Sequence, residues 1–264
     1  MSHASPDPAV LSRLYLTAVL PCLTDLVNQS ADARAILGGF RGSIVLAIIG
    51  GPAVTIHLSC GQIASENRWG KTPSVILLFF GNRHLNAFFS GKSWAVPFPA
   101  WGGWRMGLLA CFSKLAGLLE ATLNGAPPAL ATSVGRRMHV RLSLIAAGLG
   151  LRPLAEGDLP AQKTLRTLPP GLASFSIEGE DAATVWFDHG STGSAAGWSV
   201  PPRRPDVRIT FADIHVAYGA MRDEIDTLAA VGSGQIRVEG LVPLADGLNF
   251  VMDRLRIYLQ PQSP

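Results

Sequence analysis

A β-branched, apolar run from Ser43 to Ile49 stops at Gly50-Gly51, and a second runs from Ala53 to Cys60; together they read as a hairpin. Ahead of it, the spacing of apolar positions predicts a helix from about Pro8 to Val27. Asp7 can accept from the unpaired amides of its first turn, and proline suits the first helical position. A second short helix follows Ser30. Beyond the hairpin the pattern predicts strands near Gln62 to Trp69 and Ser74 to Phe80, a helix from about Arg83 to Phe89, a strand around Ser93 to Phe98, and a helix from about Gly103 to Leu123. The same plan then recurs. Helices are expected at about Gly135 to Leu149 and after Asp158, strands at Ala173 to Gly179, Ala183 to Asp188, Ala195 to Val200, Asp206 to Phe211 and Gln235 to Glu239, and a closing helix from about Leu244 to Tyr258.

The recurrence is visible in the residues themselves. At an offset of 129, Ile36 meets Leu165, Gly42 meets Gly171, Ile48 meets Ile177, Gly50 meets Gly179, Thr55 meets Thr184, Gly61 meets Gly190 and Trp69 meets Trp198. Three inserted residues then move the offset to 132, aligning Pro73, Val75, Leu77 and Phe79 with Pro205, Val207, Ile209 and Phe211. The chain is therefore expected to be two diverged copies of one α+β unit, residues 1–128 and 129–264. The segment Asn124 to Thr132, with Gly125, Pro127 and Pro128, serves as the linker.

Composition narrows the function. Of 264 residues, 48% are hydrophobic and only 16% charged, and the mean hydropathy is +0.27. Such an apolar excess needs a large core, a cavity or an interface. A net charge of +3 is too mild for a nucleic-acid binder, and no zinc-finger, helix-turn-helix or RNA-recognition pattern is present. Cys22, Cys60 and Cys111 are too scattered for a metal site or a disulfide framework and suit a reducing compartment. The apolar run Leu14 to Leu23 contains Pro21, lacks a small-x-small cleavage site and reads as a helix; no run reaches about 18 continuous apolar residues. A soluble cytoplasmic protein is expected.

In the second half, the run PDVRITF at Pro205 to Phe211 with Asp213 soon after, the run GQIRVEG at Gly234 to Gly240, and a helix with Ala245, Leu248, Met252 and Leu255 at helical spacing follow one another. In order and content this segment, Gly171 to Tyr258, resembles the sterol carrier protein type 2 family of small lipid-binding domains; the first half joins only through the repeat. The resemblance implies a mixed sheet of about five strands in each copy, covered by helices, and an apolar tunnel for sterols, fatty acyl chains, acyl-CoA or related lipids. The first copy departs from the pattern by carrying SWAVPFPAWGG, Ser93 to Gly103, in place of GQIRVEG.

That first copy concentrates the aromatic residues. Trp69, Phe79, Phe80, Phe88, Phe89, Trp94, Phe98, Trp101, Trp104 and Phe112 fall within 44 positions that contain no Asp or Glu, whereas Arg68, Lys71, Arg83, Lys92, Arg105 and Lys114 lie between Asn67 and Leu119. Such a segment can fill a core, line an apolar cavity, or dock on an anionic membrane surface where Trp and basic residues cooperate. The candidate ligand-binding residues are Phe79, Phe88, Trp94, Phe98, Trp101, Trp104, Trp186, Trp198, Phe211 and Phe250. Enclosing about 500 Å² of apolar ligand surface is worth roughly 12 kcal/mol gross. Association costs of at least about 4 kcal/mol leave micromolar affinity, suited to a carrier that must also release.

Catalytic constellations are scarce. Asp188-His189 lies where a strand ends, His57 on the matching strand of the first half, and Asp213 and His215 at the start of a helix; neighbours on a strand face opposite ways and cannot form a dyad. His84 and His139 have weaker cases. Glu178, Glu180 and Asp181 make an acidic turn without a second cluster at metal spacing, and Arg203-Arg204 can meet a lipid headgroup or a CoA phosphate. No recognised catalytic, metal or cofactor motif occurs. The first expectation is thus a carrier that binds a hydrophobic small molecule, a lipid, sterol or isoprenoid-like compound, and presents it to a partner enzyme or membrane. The alternatives are an enzyme isomerising or cyclising such a molecule, with His57, Asp188, His189 or Asp213 as its acid or base, and a module that binds another protein.

Overall fold

A computed structural model describes residues 6–179, 183–190, 193–222 and 224–259, without the side chains of 128 and 129. The chain divides into two compact units, the first ending at Ala126 and the second beginning at Pro127.

In the first unit, Asp7 accepts from the Ala9 amide at 2.7 Å and opens α1, Pro8–Leu14. One wide π turn, Tyr15–Val19, follows before α2, Cys22–Gln29. The wide turn has a cause: Pro21 has no amide hydrogen to continue the regular ladder, so the predicted single helix is interrupted ahead of it. Ser30 caps α3, Ala31–Leu37, by accepting from Ala33. Strands β1 (Arg41–Ile48), β2 (Ala53–Ser59), β3 (Gln62–Glu66) and β4 (Val75–Phe79) precede α4 (Asn82–Phe89), β5 (Phe98–Trp101) and α5 (Met106–Leu123). The sheet order is β3-β2-β1-β4-β5, with β1 and β4 parallel and the other pairs antiparallel.

The second unit repeats this architecture. It opens with α6 (Pro127–Leu130), α7 (Ser133–Gly157) and α8 (Leu159–Leu165), followed by β6 (Gly171–Ile177), β7 (Ala183–Gly190), β8 (Gly193–Trp198) and β9 (Val207–Phe211). Then come α9 (Ile214–Met221), α10 (Thr227–Gly232), β10 (Ile236–Gly240) and α11 (Val242–Leu259). The order β10-β9-β6-β7-β8, with β6 and β9 parallel, is the first sheet repeated. The fold is α+β: two mixed five-stranded sheets, each flanked by helices. Of the expected acidic turn, Glu180 and Asp181 lie outside the described residues.

Equivalent residues make equivalent contacts. Ile44 pairs with Val75, and Ala173, 129 further on, with Val207, 132 further on. The Ser43 amide donates to the Ser74 hydroxyl at 3.2 Å, and the Leu172 amide to the Asp206 carboxylate at 2.8 Å. Gly102 and Gly240 both have positive φ, +70° and +99°, and a Cβ on either would fall on a backbone carbonyl oxygen, that of Ser74 or of Asp206. Only glycine lets the last strand of each sheet close so tightly on its neighbour.

Three expectations are corrected. Ile44 stands opposite Ile56 but Ala173 opposite Phe187, so the second strand of the hairpin has moved by 131 and not 129. Two of the three inserted residues thus fall in the hairpin turn, and Thr55 corresponds to Trp186 rather than Thr184. A shift of two preserves which face each side chain takes, so the core is undisturbed. Next, β5 begins at Phe98, where the expected strand ended, because residues before it are held in a turn by the Ala95 amide donating to Lys92 at 3.0 Å. Finally, α7 runs eight residues past Leu149, through Pro153, held there by buried Leu151 and Leu154.

Among the described residues, two helical stretches have the length and composition to cross a membrane, Pro8–Gln29, taken across its π turn, and Met106–Leu123. The first is 72% buried over its most apolar stretch, as a core helix is, whereas the second is only 33% buried.

Candidate functional site

In the first unit three of the exposed aromatics, Phe98, Trp101 and Trp104, are gathered along the β5 edge of the sheet. Val75, Leu77 and Phe79 of β4 are buried in the core, leaving Ile76 and Leu78 on the opposite face. Leu78 stands opposite Phe98 and Ile76 opposite Trp101, so these four side chains share that face. Phe98 and Trp101 are each 54% exposed. Trp104, 70% exposed, meets Trp101 edge-on with ring centroids 5.2 Å apart.

Beyond the other end of β4, exposed Phe80 stacks on His84, and His84 on exposed Trp94, at 5.5 and 6.2 Å. The His84 Nδ1 accepts from the Phe80 amide at 3.2 Å, which fixes the ring in the stack. Asp7, Pro8, Arg83, His84 and Trp94 border an open depression of about 600 Å³ there. Phe79 is fully buried beneath, against half-buried Phe88 at 5.4 Å.

In the second unit a smaller cleft opens between α7 and the edge strand β8. Gly148 of α7 sits so close to the sheet that a Cβ there would come within 2.6 Å of Val185. Trp198 stands opposite Val185 and therefore shares the helix-facing side of the sheet. Toward the start of α7, Arg141 and Ile145, one turn apart, meet Ala183, Thr184, Trp198, Ser199, Val200 and Pro201 around a cleft of about 390 Å³. Ser199 adopts φ +88°, strained for a residue with a side chain.

The remaining aromatic candidates are dispersed. Trp186 lies on the other face from Trp198, over Gly197, whose Cβ would come within 2.5 Å of the indole. Phe211 is half-buried at the end of β9, and Phe250 lies 44% exposed on α11.

The titratable candidates are engaged separately. In the first unit, His57 of β2 is half-exposed with Nε2 4.0 Å from Glu66, whose carboxyl is held below its usual range by the hydrogen bond from Arg68. In the second, Arg203 bridges Asp188 at 3.2 Å and Asp206 at 2.7 Å. The Leu172 amide and Arg203 hold the Asp206 carboxyl below the ordinary aspartate range. His189 Nε2 donates to the Leu165 carbonyl at 2.9 Å, while its buried Nδ1 has no partner among the described residues. Asp213 caps α9, accepting from His215 and Val216 at 2.7 and 2.9 Å. Each has a structural partner of its own, and the second unit's candidates do not converge on one point. No group of three or more metal-ligating side chains occurs among the described residues.

Sequence reasoning missed Arg141 and Ile145, although their spacing of four on a helix was readable. It also missed the buried pair Asp158–Arg254, 2.8 Å apart, with the Tyr258 hydroxyl donating to the same carboxylate at 2.8 Å.

No protein-family model and no curated protein matches the chain. Solved structures do resemble it. Sterol carrier protein 2 from Yarrowia lipolytica, in its apo form, is 13% identical over 40% of this chain and 90% of its own, with a TM-score of 0.32. Sterol carrier protein domain 2 of Helicoverpa armigera is 15% identical over 43% and 87%, at 0.32. Palmitated SCP2L2 from Aedes aegypti is 17% identical over 39% and 86%, at 0.29.

Proposed function

We propose that the protein binds a hydrophobic small molecule, of the lipid, sterol or isoprenoid class, and carries or presents it, with the cleft between α7 and β8 as the holding site. The observation that carries this reading is the composition of that cleft. Ile145, Ala183, Trp198, Val200 and Pro201 form an apolar wall, and Arg141, Thr184 and Ser199 a polar rim with one cation. A wall and rim of this kind suit a hydrocarbon body with a polar or anionic head, in a volume within the usual range of about 300–1,000 Å³ for small-molecule sites. The cleft lies in the half whose motifs resemble lipid-binding domains, which supports the same ligand class. Binding by enclosure needs no catalytic group, consistent with the separate structural partners of Asp188, His189 and Asp213. Cys22, Cys60 and Cys111 are thiols rather than disulfides, as suits a reducing, cytoplasmic setting.

Fluorescence titration with cis-parinaric acid tests the reading. Saturable uptake is expected, weakened about tenfold by Trp198→Ala through lost apolar contact and less strongly by Arg141→Gln. No uptake by the folded wild-type protein, or uptake indifferent to both substitutions, counts against this holding site.

A further inference from the structure

We propose that the β4–β5 face of the first unit docks on an anionic lipid bilayer. The two repeats make the argument, because they carry opposite chemistry at equivalent positions. Phe98 occupies the place of Arg237 and Trp101 that of Glu239, while Ile76 and Leu78 stand where the second unit has Arg208 and Thr210. In the second unit this surface is closed by ion pairs, Arg208 with Glu239 at 3.6 Å and Arg237 with Glu178. In the first it presents exposed aromatic rings, extended by Trp104 and by Met106, which is 67% exposed at the start of α5.

Two further features choose the occupant. Pro97 and Pro99 remove amide donors at and beside the edge strand, so the edge is poorly made for pairing with a strand of another protein. The segment from Asn67 to Leu119 has six cations and no acid, and among the described residues only Arg68 of the six is held in an ion pair, to Glu66. Lys92 and Arg105, both exposed, flank the aromatic strand in sequence. Indole rings favour the interfacial layer of a bilayer, and nearby basic side chains gain from anionic headgroups. The proposal deepens the carrier reading by naming the surface at which the ligand is collected or delivered, and it rests on that reading only for its purpose.

Co-sedimentation of the full chain with vesicles of phosphatidylcholine alone, and of equimolar phosphatidylcholine and phosphatidylglycerol, is the test. Binding is expected on the anionic vesicles, weakening as salt is raised, with a blue shift of tryptophan emission. The double substitution Phe98→Arg and Trp101→Glu installs the second unit's own residue types without changing net charge, and is expected to lower binding about tenfold or more. Lys92→Gln with Arg105→Gln should lower it on anionic vesicles by a similar factor of about ten. The emission shift of the wild-type protein decides independently should either variant fold poorly. Wild-type protein that ignores anionic vesicles, or an aromatic double variant that folds and binds them equally well, overturns the proposal. So does self-association lost in that variant without vesicle binding, which assigns the face to a second copy of the chain. Uptake of cis-parinaric acid without vesicles reads the carrier function separately, and the aromatic double variant should leave it unchanged.

Discussion

Trp101 and Glu239 hold the same position on the closing edge strand of their respective sheets, the one opposite Ile76 and the other opposite Arg208. One backbone position thus supports an exposed indole in the first unit and an ion-paired carboxylate in the second. Duplication has kept the framework and diverged the surface. We propose a division of labour, in which the second unit holds a hydrophobic ligand and the first meets the membrane.

The shared framework can be tested at its glycines. Gly102→Ala and Gly240→Ala each place a methyl group on a backbone carbonyl at positive φ, where no side-chain rotation relieves the clash. Each should cost about 1–3 kcal/mol or more in urea denaturation. Gly91→Ala is the control: its φ is also positive, +70°, but nothing lies within 4 Å of the added group. Its cost should stay near 1 kcal/mol, and three equal losses would refute the close-approach argument.

Asp158 and Arg254 tie the start of α8 to α11, with only 3% and 6% of their surfaces exposed. Replacing Asp158 by Asn leaves a buried guanidinium without its counter-charge, and should destabilise the protein by about 3–5 kcal/mol. Chemical denaturation measures this directly. A loss below 1 kcal/mol, about the value of a surface pair, would show that the pair is hydrated in solution.

The same carboxylate sets an acid limb. Burial alone pushes the Asp158 pKa up, but the hydrogen bonds from Arg254, Tyr258 and the Ala161 amide outweigh it and hold the group below its ordinary value. A pKa lower in the folded than in the unfolded state gives stability that is full above the unfolded value, about 3.9, and is lost as pH falls through the folded one. Thermal denaturation from neutral pH downward should show that loss in the wild type. Asp158→Asn should be less stable at neutral pH and less sensitive to acid; identical acid limbs would contradict the assignment.

Ser12 and Asn86 make a further pin in the first unit. The Ser12 hydroxyl donates to the Asn86 side-chain oxygen at 2.9 Å, and the Asn86 amide to the Pro8 carbonyl at 2.9 Å. Asn86→Leu removes both bonds, while the Ser12 hydroxyl keeps the Pro8 carbonyl as an acceptor at 2.8 Å, for an expected cost of about 1–3 kcal/mol. Asn86→Asp keeps an acceptor for Ser12 but turns a carboxylate oxygen toward the Pro8 carbonyl in place of the donor, so it should cost more than the lost bond alone.

Local chemistry was the legible part of the sequence. The hairpins, the cap at Asp7, and the repeated order of elements all depend on residues near one another along the chain. Thr, Gly and Trp coincidences at a constant offset hid the two-residue shift, which only strand pairing can reveal, since it leaves the inward and outward pattern unchanged. The position of β5 was misread because Phe98 to Trp101, with Pro99 and a register shift opposite Ile76 and Leu77, does not have the alternation of a regular strand. Asp158 and Arg254 lie 96 residues apart, and nothing local marks either as the other's partner. At the candidate sites, the aromatic segment of the first unit was readable by composition. Which of its rings are exposed was not: Phe79 goes inward while Phe80, next to it, stays out.

Native mass spectrometry of the purified full chain, with organic extraction and identification of whatever accompanies it, tests the central claim most directly. The carrier account predicts a hydrophobic species of lipid, sterol or isoprenoid type bound one per chain, or taken up at that ratio when fatty acid or sterol is added. A bare chain mass, unchanged after incubation with either, would contradict it.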